Sequence, residues 1–379
     1  MPVTRRRLLT AVSAVTAATA VQGPAQAADG TTAAHPGVDA SAARPAGASA
    51  ELRHWPPAQA RRLERLIRES AGRPGAYAVF DADNTIWRND LEEALLPYLE
   101  MLGELTPRSL DPSLRLIPFR EAESLYSYYV RLCEIDDKVG YPWIAQVFAG
   151  FTLSRLKTRV DALLAHDRPI PVTYYDGDTL VHGTVDPPRI HPGQRELLNC
   201  LRAHGITPYV VTAAHEELVR MVVSDPRYGL GVEPRNVIGV TTLLRDPATG
   251  DLTTARKQIE RGHFLDERYP ASKHAGMVVT PYLWTPATWY VGKLAGIKEY
   301  IDPYARPVLV AGDSPSDWYM LFDTDVRAGG VRLWVNRKQK YTDALETEKA
   351  RRADAQKAAH VPVDADRGWM VVTPAEIGG

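Results

Sequence analysis

The stretch Tyr77-Ala78-Val79-Phe80-Asp81-Ala82-Asp83-Asn84-Thr85 decides how the rest of the chain is read. Its first four residues form an apolar run of the kind that fills a buried strand. Two carboxylates, one residue apart, stand where that strand would end. So placed, Asp81 can attack phosphorus and Asp83 can hand a proton to the leaving oxygen. Asp and Asn after a strand are also ordinary turn residues, so the weight rests on the segments further along the chain.

Three such segments come in order. Val210-Val211 runs into Thr212, whose hydroxyl and backbone N–H can bind phosphoryl oxygens. Gly292-Lys293 opens a helical stretch, and Lys293 supplies the positive charge that lets two acids and a phosphate dianion share one pocket. Lys298, five residues on, is the alternative for that role. Val308-Leu309-Val310-Ala311 ends in Gly312-Asp313, with Asp317 four residues later. An Asp nucleophile is weak unless the phosphate charge is neutralised, so a divalent cation is expected. Mg²⁺ favours hard carboxylate oxygens, which makes Asp313 the natural second ligand beside Asp81. Asp317 can orient the metal shell or the Lys. A competing motif, Asp176-Gly177-Asp178-Thr179, follows a less apolar run, and choosing it would leave no room for an insertion. Its acids are expected in a hairpin turn.

Helical and strand patterns alternate through the second half, which predicts an α/β fold with a parallel, Rossmann-like sheet. Ligands in such sheets bind beyond the carboxyl ends of the strands, where all four segments fall. Residues 51–90 and 185–340 are expected to form the catalytic core, with a small insertion around 241–290. Between the two parts, residues 91–184 read as a mostly helical cap, with helices over 121–132 and 144–164. Residues 341–379 form a C-terminal segment. At the start, Arg5-Arg6-Arg7, the apolar stretch 8–21 and Ala25-Gln26-Ala27 read as an export signal over residues 1–27 that fits the twin-arginine pattern. Residues 28–50 are small and polar, and are expected to be a flexible linker. An exported, periplasmic or extracellular protein is therefore expected.

Composition excludes several classes. The chain has 379 residues, 45% apolar and 24% charged, with net charge -1. Removal of residues 1–27 takes away three Arg and no acid, leaving a net of -4. No basic block marks a nucleic-acid partner, and no apolar stretch has the ~20 residues of a membrane span. Cys133 and Cys200 are the only cysteines, and are expected to be unbridged thiols. Nothing in the sequence sets an oligomeric state.

Together these segments resemble the haloacid dehalogenase (HAD) superfamily, phosphatase branch, over about residues 75–335. Asp81, Asp83 and Thr85 match its Asp-x-Asp-x-Thr motif, with Asn84 between. Thr212 matches the second motif, Lys293 the third, and Gly312, Asp313 and Asp317 the fourth. The resemblance implies that Asp81 forms a phospho-enzyme and Asp83 acts as acid and base. It also implies that Mg²⁺ is held by Asp81, the backbone carbonyl of Asp83, and Asp313. The presence of Asp83 favours phosphate esters over dehalogenation.

The cap is expected to choose the substrate. It carries Glu92, Glu93, Tyr98, Tyr126, Tyr128, Tyr129, Tyr141 and Trp143, and the second insertion adds Tyr282, Trp284, Trp289 and Tyr290. Aromatic faces with a carboxylate suit a quaternary ammonium group. Glu92, Glu93, Tyr126, Trp143 and Trp284 are the candidate substrate contacts. With Ala213-Ala214 and Pro315, the chain resembles the secreted bacterial phosphorylcholine phosphatases. The expected function is thus a secreted Mg²⁺-dependent phosphomonoesterase acting on a small phosphate ester. A phosphotransferase would use the same phospho-aspartate. A binding protein on the same scaffold would be expected to show a broken motif, and none is broken.

Overall fold

The computed structural model describes residues 51–263 and 273–378. The expected signal and linker lie outside the described residues, as does part of the insertion expected around 241–290.

Helix α1 (Pro57–Ser70) leads into strand β1 (Tyr77–Phe80) and the short β2 (Trp87–Arg88). An inserted block follows: α2 (Leu91–Met101), α3 (Leu125–Ile135), α4 (Asp137–Gln146), α5 (Leu153–Ala165) and the hairpin β3 (Ile170–Asp176) and β4 (Thr179–Val185). The chain returns through β5 (Arg189–Ile190), which pairs antiparallel with β2. Then come α6 (Pro192–Ala203), β6 (Thr207–His215), α7 (Glu216–Val223), β7 (Val237–Arg245), β8 (Leu252–Thr253), α8 (Ala255–Glu260) and β9 (Val278–Trp284). The last elements are α9 (Val291–Tyr300), β10 (Leu309–Gly312), α10 (Trp318–Phe322), β11 (Val331–Val335), α11 (Gln339–Ala358) and β12 (Trp369–Val372).

The main sheet has the order β12-β11-β10-β1-β6-β7-β8, with β9 also on β7. Pairings from β12 to β7 are parallel, and β8 and β9 join antiparallel. This is the α/β, mostly parallel class read from the sequence. All four residues of β1 are buried, as a strand covered on both faces requires. Its side chains alternate between two cores. Ala78 and Phe80 join the larger core with α1 and the inserted block, while Tyr77 and Val79 face the smaller one with Ile297, Met320 and Leu345.

Local chemistry sets the helix boundaries. The helix expected from Glu121 begins at Leu125, because Ser124 caps it by accepting from Ser127 N–H. The one expected over 144–164 is two helices. Gly150, at φ 91°, ends the first path, and Thr152 caps α5. Asp176 and Asp178 flank Gly177 at the exposed tip of the β3–β4 hairpin, outside the main sheet. The two cysteines form no disulfide. Among the described residues, no helix is long and apolar enough to cross a membrane.

The inserted block is tied to the sheet edge by backbone hydrogen bonds. Gly150 N–H donates to Val279 O, Val279 N–H to Phe151 O, and Leu153 N–H to Met277 O, each at 2.9 Å. At the other edge, the C-terminal segment is bound by a buried arginine. Arg332 of β11 donates to the carbonyls of Leu321, Phe322, Asp364, Ala365 and Arg367. Burial pulls its guanidinium down to about 10. Arg332→Leu strands those five carbonyls, so a loss of roughly 3–5 kcal/mol is expected. Urea unfolding, read as a lowered midpoint, measures it.

Candidate active site

Three adjacent strands bring the site together. Phe80 pairs with Val210 on one side and Ala311 on the other. The residues just beyond, Asp81, Thr212 and Asp313, therefore meet past the carboxyl edge of the sheet. All three are buried. Strand β6 breaks register between Val211 and His215, and this irregularity frees Thr212 from the ladder. Its carbonyl accepts from Thr288 Oγ1 at 2.6 Å, and its Oγ1 accepts from Ala214 N–H at 3.1 Å. The hydroxyl proton is left to donate.

Lys293 joins the set from the first turn of α9. Its Nζ lies 2.7 Å from Asp81 Oδ1 and 2.6 Å from Asp317 Oδ1, and the side chain is 1% exposed. The flanking carboxylates raise its pKa against the opposing effect of burial. Lys298, the alternative, points elsewhere, to Ala305 O and Asp323. Asp317 Oδ2 accepts from Asp313 N–H, Ser314 N–H and Ser314 Oγ. With both oxygens so engaged, Asp317 orders the Lys and the turn. Gly312 makes the close approach: a Cβ there would lie 2.7 Å from Asp317 Cβ.

Asp81, Asp313 and Asp317 offer carboxylate oxygens within 4.8 Å of one another. Burial raises the Asp81 carboxyl well above its usual range, and the charges of Asp317 and Asp313 add to it, while Lys293 opposes. Burial likewise raises Asp313. Three acids face two cations, Lys293 and Arg337, so the pocket keeps an excess of negative charge. Hard, buried oxygens with unbalanced charge fit a divalent cation.

Asp83 stands apart from this cluster. Its Oδ1 accepts from Trp87 Nε1 at 2.7 Å and Leu91 N–H at 2.9 Å. Burial, then the charge of Asp90, raises its carboxyl well above the usual range. Asn84 adopts φ 60° in the tight turn after it, and Thr85 Oγ1 donates to Asp313 Oδ1 at 3.3 Å.

Two contacts escaped the sequence reading. Arg337, after β11, donates through Nε to Asp313 Oδ2; against burial, the charge of Asp313 and this hydrogen bond raise its pKa. In the sequence it sits in the run Arg337-Lys338-Gln339-Lys340, which looks like a solvated face. Glu92 accepts from His215 N–H at 2.8 Å and so binds α2 to the end of β6. Of the other candidate contacts, Glu93 accepts from Tyr129 Oη at 3.4 Å. Trp284 is half-buried at the end of β9. Trp143 is packed inside the block: it is 1% exposed, its Nε1 donates to Leu114 O, and its ring stacks on Tyr129. Tyr126 meets Tyr174 edge-on beside a cavity of about 290 Å³ lined by Pro97, Glu100, Val172 and His182, none of them motif residues.

Compared with known proteins, the chain matches no family model. It is 58% identical over 332 residues to the phosphorylcholine phosphatase of Pseudomonas aeruginosa, across 86% of this chain and 93% of that protein. Among solved structures, a conserved protein of unknown function from Anaerococcus prevotii shares the fold. It has a TM-score of 0.53 and 17% identity, over 78% of this chain and 90% of that one. A HAD family hydrolase from Salmonella enterica aligns at a TM-score of only 0.39 and 11% identity, over 71% of this chain and 65% of that one.

Glu92 gives a stability test. Burial first, then Asp90, raises its carboxyl well above the usual range, while the His215 N–H opposes. A carboxyl raised on folding contributes stability below its unfolded value of about 4.3, and that stability is lost as pH rises through the folded value. Glu92→Gln keeps an acceptor for His215 N–H and removes the buried charge. It is expected to melt higher than the parent at pH 8, with the gap closing by pH 4, in thermal melts across that range.

Proposed function

Since this chain belongs to the phosphorylcholine phosphatase family and is a phosphoric monoester hydrolase, we propose that it works through a phospho-aspartate on Asp81. The observation that carries this reading is the Lys293 ammonium held between Asp81 and Asp317, with Asp313 beside them. That arrangement aims Asp81 and sets a positive charge against the burial that favours its neutral form.

Asp81 attacks phosphorus and the ester P–O bond breaks. Asp83 gives its proton to the departing alcohol oxygen. Both hydrogen bonds to Asp83 fall on Oδ1, so the proton belongs on Oδ2, and burial favours the neutral acid. Asp83, now ionised, then takes a proton from the water that hydrolyses the phospho-aspartate, which returns Asp81 and inorganic phosphate. Thr212 donates its hydroxyl to a phosphoryl oxygen, and Lys293 balances the charge. Mg²⁺ would be held by Asp81, the Asp83 carbonyl and Asp313, and would supply charge neutralisation at the phosphoryl oxygens.

Phosphorylcholine is the proposed substrate. The relative's name supports it, as does the acid and aromatic content of the inserted block and the second insertion. The inserted block then serves as the cap over the leaving group. Export is proposed on the basic, apolar and small-residue order of residues 1–27.

Phosphate release from a panel of monoesters including phosphorylcholine tests the reading. Release is expected with Mg²⁺ and is expected to be lost with chelator and in Asp81→Asn. Turnover surviving Asp81→Asn would sink the mechanism, and a panel led by an uncharged ester would sink the substrate. Gly312→Ala pushes on Asp317, and is expected to lower kcat about 100-fold with a smaller effect on melting temperature.

A further inference from the structure

Tyr290, the residue before α9, has φ 52° and ψ −124°. Residues bearing a side chain rarely adopt such angles, and keep them only where the surroundings over-determine the backbone. Here they do. The Tyr290 hydroxyl donates to Asp137 Oδ2 at 3.1 Å. Lys138 Nζ stands 5.6 Å from the ring centroid, within reach of a cation–π attraction. Tyr290 N–H donates to Ser316 Oγ at 3.4 Å. Its carbonyl accepts from Lys293 N–H at 3.1 Å. Only glycine fits at 292, since a Cβ there would lie 1.6 Å from Ala287 O.

These contacts come from two sides. Asp137 and Lys138 open α4 in the inserted block, while Lys293 and Ser316 belong to the segments beyond the sheet's carboxyl edge. Ser316 is next to Asp317, the second partner of Lys293. Tyr290 therefore touches the backbone of the lysine and the neighbour of its carboxylate, and is held in turn by an acid of the block.

We propose that Tyr290 is a positioning residue through which Asp137 sets the place of Lys293. The hydroxyl–carboxylate bond pins a backbone that would otherwise leave its strained angles, and with it the first turn of α9. Without that bond the turn relaxes, and the ammonium moves off the line between Asp81 and Asp317. The substrate still finds its pocket, so the loss falls on the chemical step. This inference rests on the role given to Lys293 above.

The experiment is a double-mutant cycle in the full chain, with p-nitrophenyl phosphate and Mg²⁺. Tyr290→Phe and Asp137→Ala are each expected to lower kcat about tenfold with KM within about twofold, and the double variant to be no slower than either single. Asp137→Asn keeps an acceptor and is expected to recover most of the rate. Should Asp137→Ala fail to fold, Tyr290→Phe carries the test, and an unchanged kcat there overturns the proposal. Losses that multiply in the double variant, or a rise in KM with kcat unchanged, would overturn the proposal. So would unchanged singles beside a dead Lys293→Ala, and there the role of Lys293 stands. An active Lys293→Ala removes that role and this inference with it.

Discussion

A buried ammonium between two buried carboxylates is the constraint on which the site depends. Burial drives Asp81 toward its neutral form and Lys293 toward its own. Their contact, at 2.7 Å and 2.6 Å, opposes that drive. Much of the surrounding architecture serves that need. Gly312 is bare so that Asp317 can come close. The turn at residues 313 and 314 lends its N–H groups to the far oxygen of Asp317. β6 breaks its ladder so that Thr212 faces the same point. Arg337 adds a second positive charge against Asp313. The pocket offsets part of its negative charge with these two fixed cations rather than with solvent.

The parts legible in the sequence were those where local chemistry and strand position coincide. An apolar run that ends in Asp81, and another that ends in Asp313, can hardly be read otherwise, because a strand buried on both faces leaves its acids only at its end. Lys293 was legible as a helix start among the motifs, although five residues separate it from an equally basic Lys298. Arg337 was not, because a charged run after a strand looks the same whether it faces water or a carboxylate. Trp143 and Tyr126 show the reverse difficulty. An aromatic on a helix carries no mark of what it faces: Trp143 packs on Tyr129, while Tyr126 meets Tyr174 beside a cavity away from the motif residues. Glu92 reads as an acid of a first helical turn, yet it spans 123 residues to hold His215 N–H.

The inserted block and the sheet edge are bound more closely than an insertion on two hinges would be. Phe151 and Val279 are joined through backbone groups, with Gly150 and Leu153 flanking them. Glu92 fastens the opposite end of the block to β6. The block is thus held to the sheet at several points besides its two chain connections.

The order of the strands carries a consequence for how the molecule is made. β1 lies between β6 and β10, which the chain supplies only much later. Thr85 and Asp313, in contact across the site, are 228 residues apart. Contacts of such separation close large loops and form late. A growing chain can pack the helices of its inserted block long before Asp81 has a neighbour on either side. Strand β1 is thus among the first core elements synthesised and among the last completed, and a chain that stops short of β10 leaves Asp81 without Asp313 and Asp317 beside it.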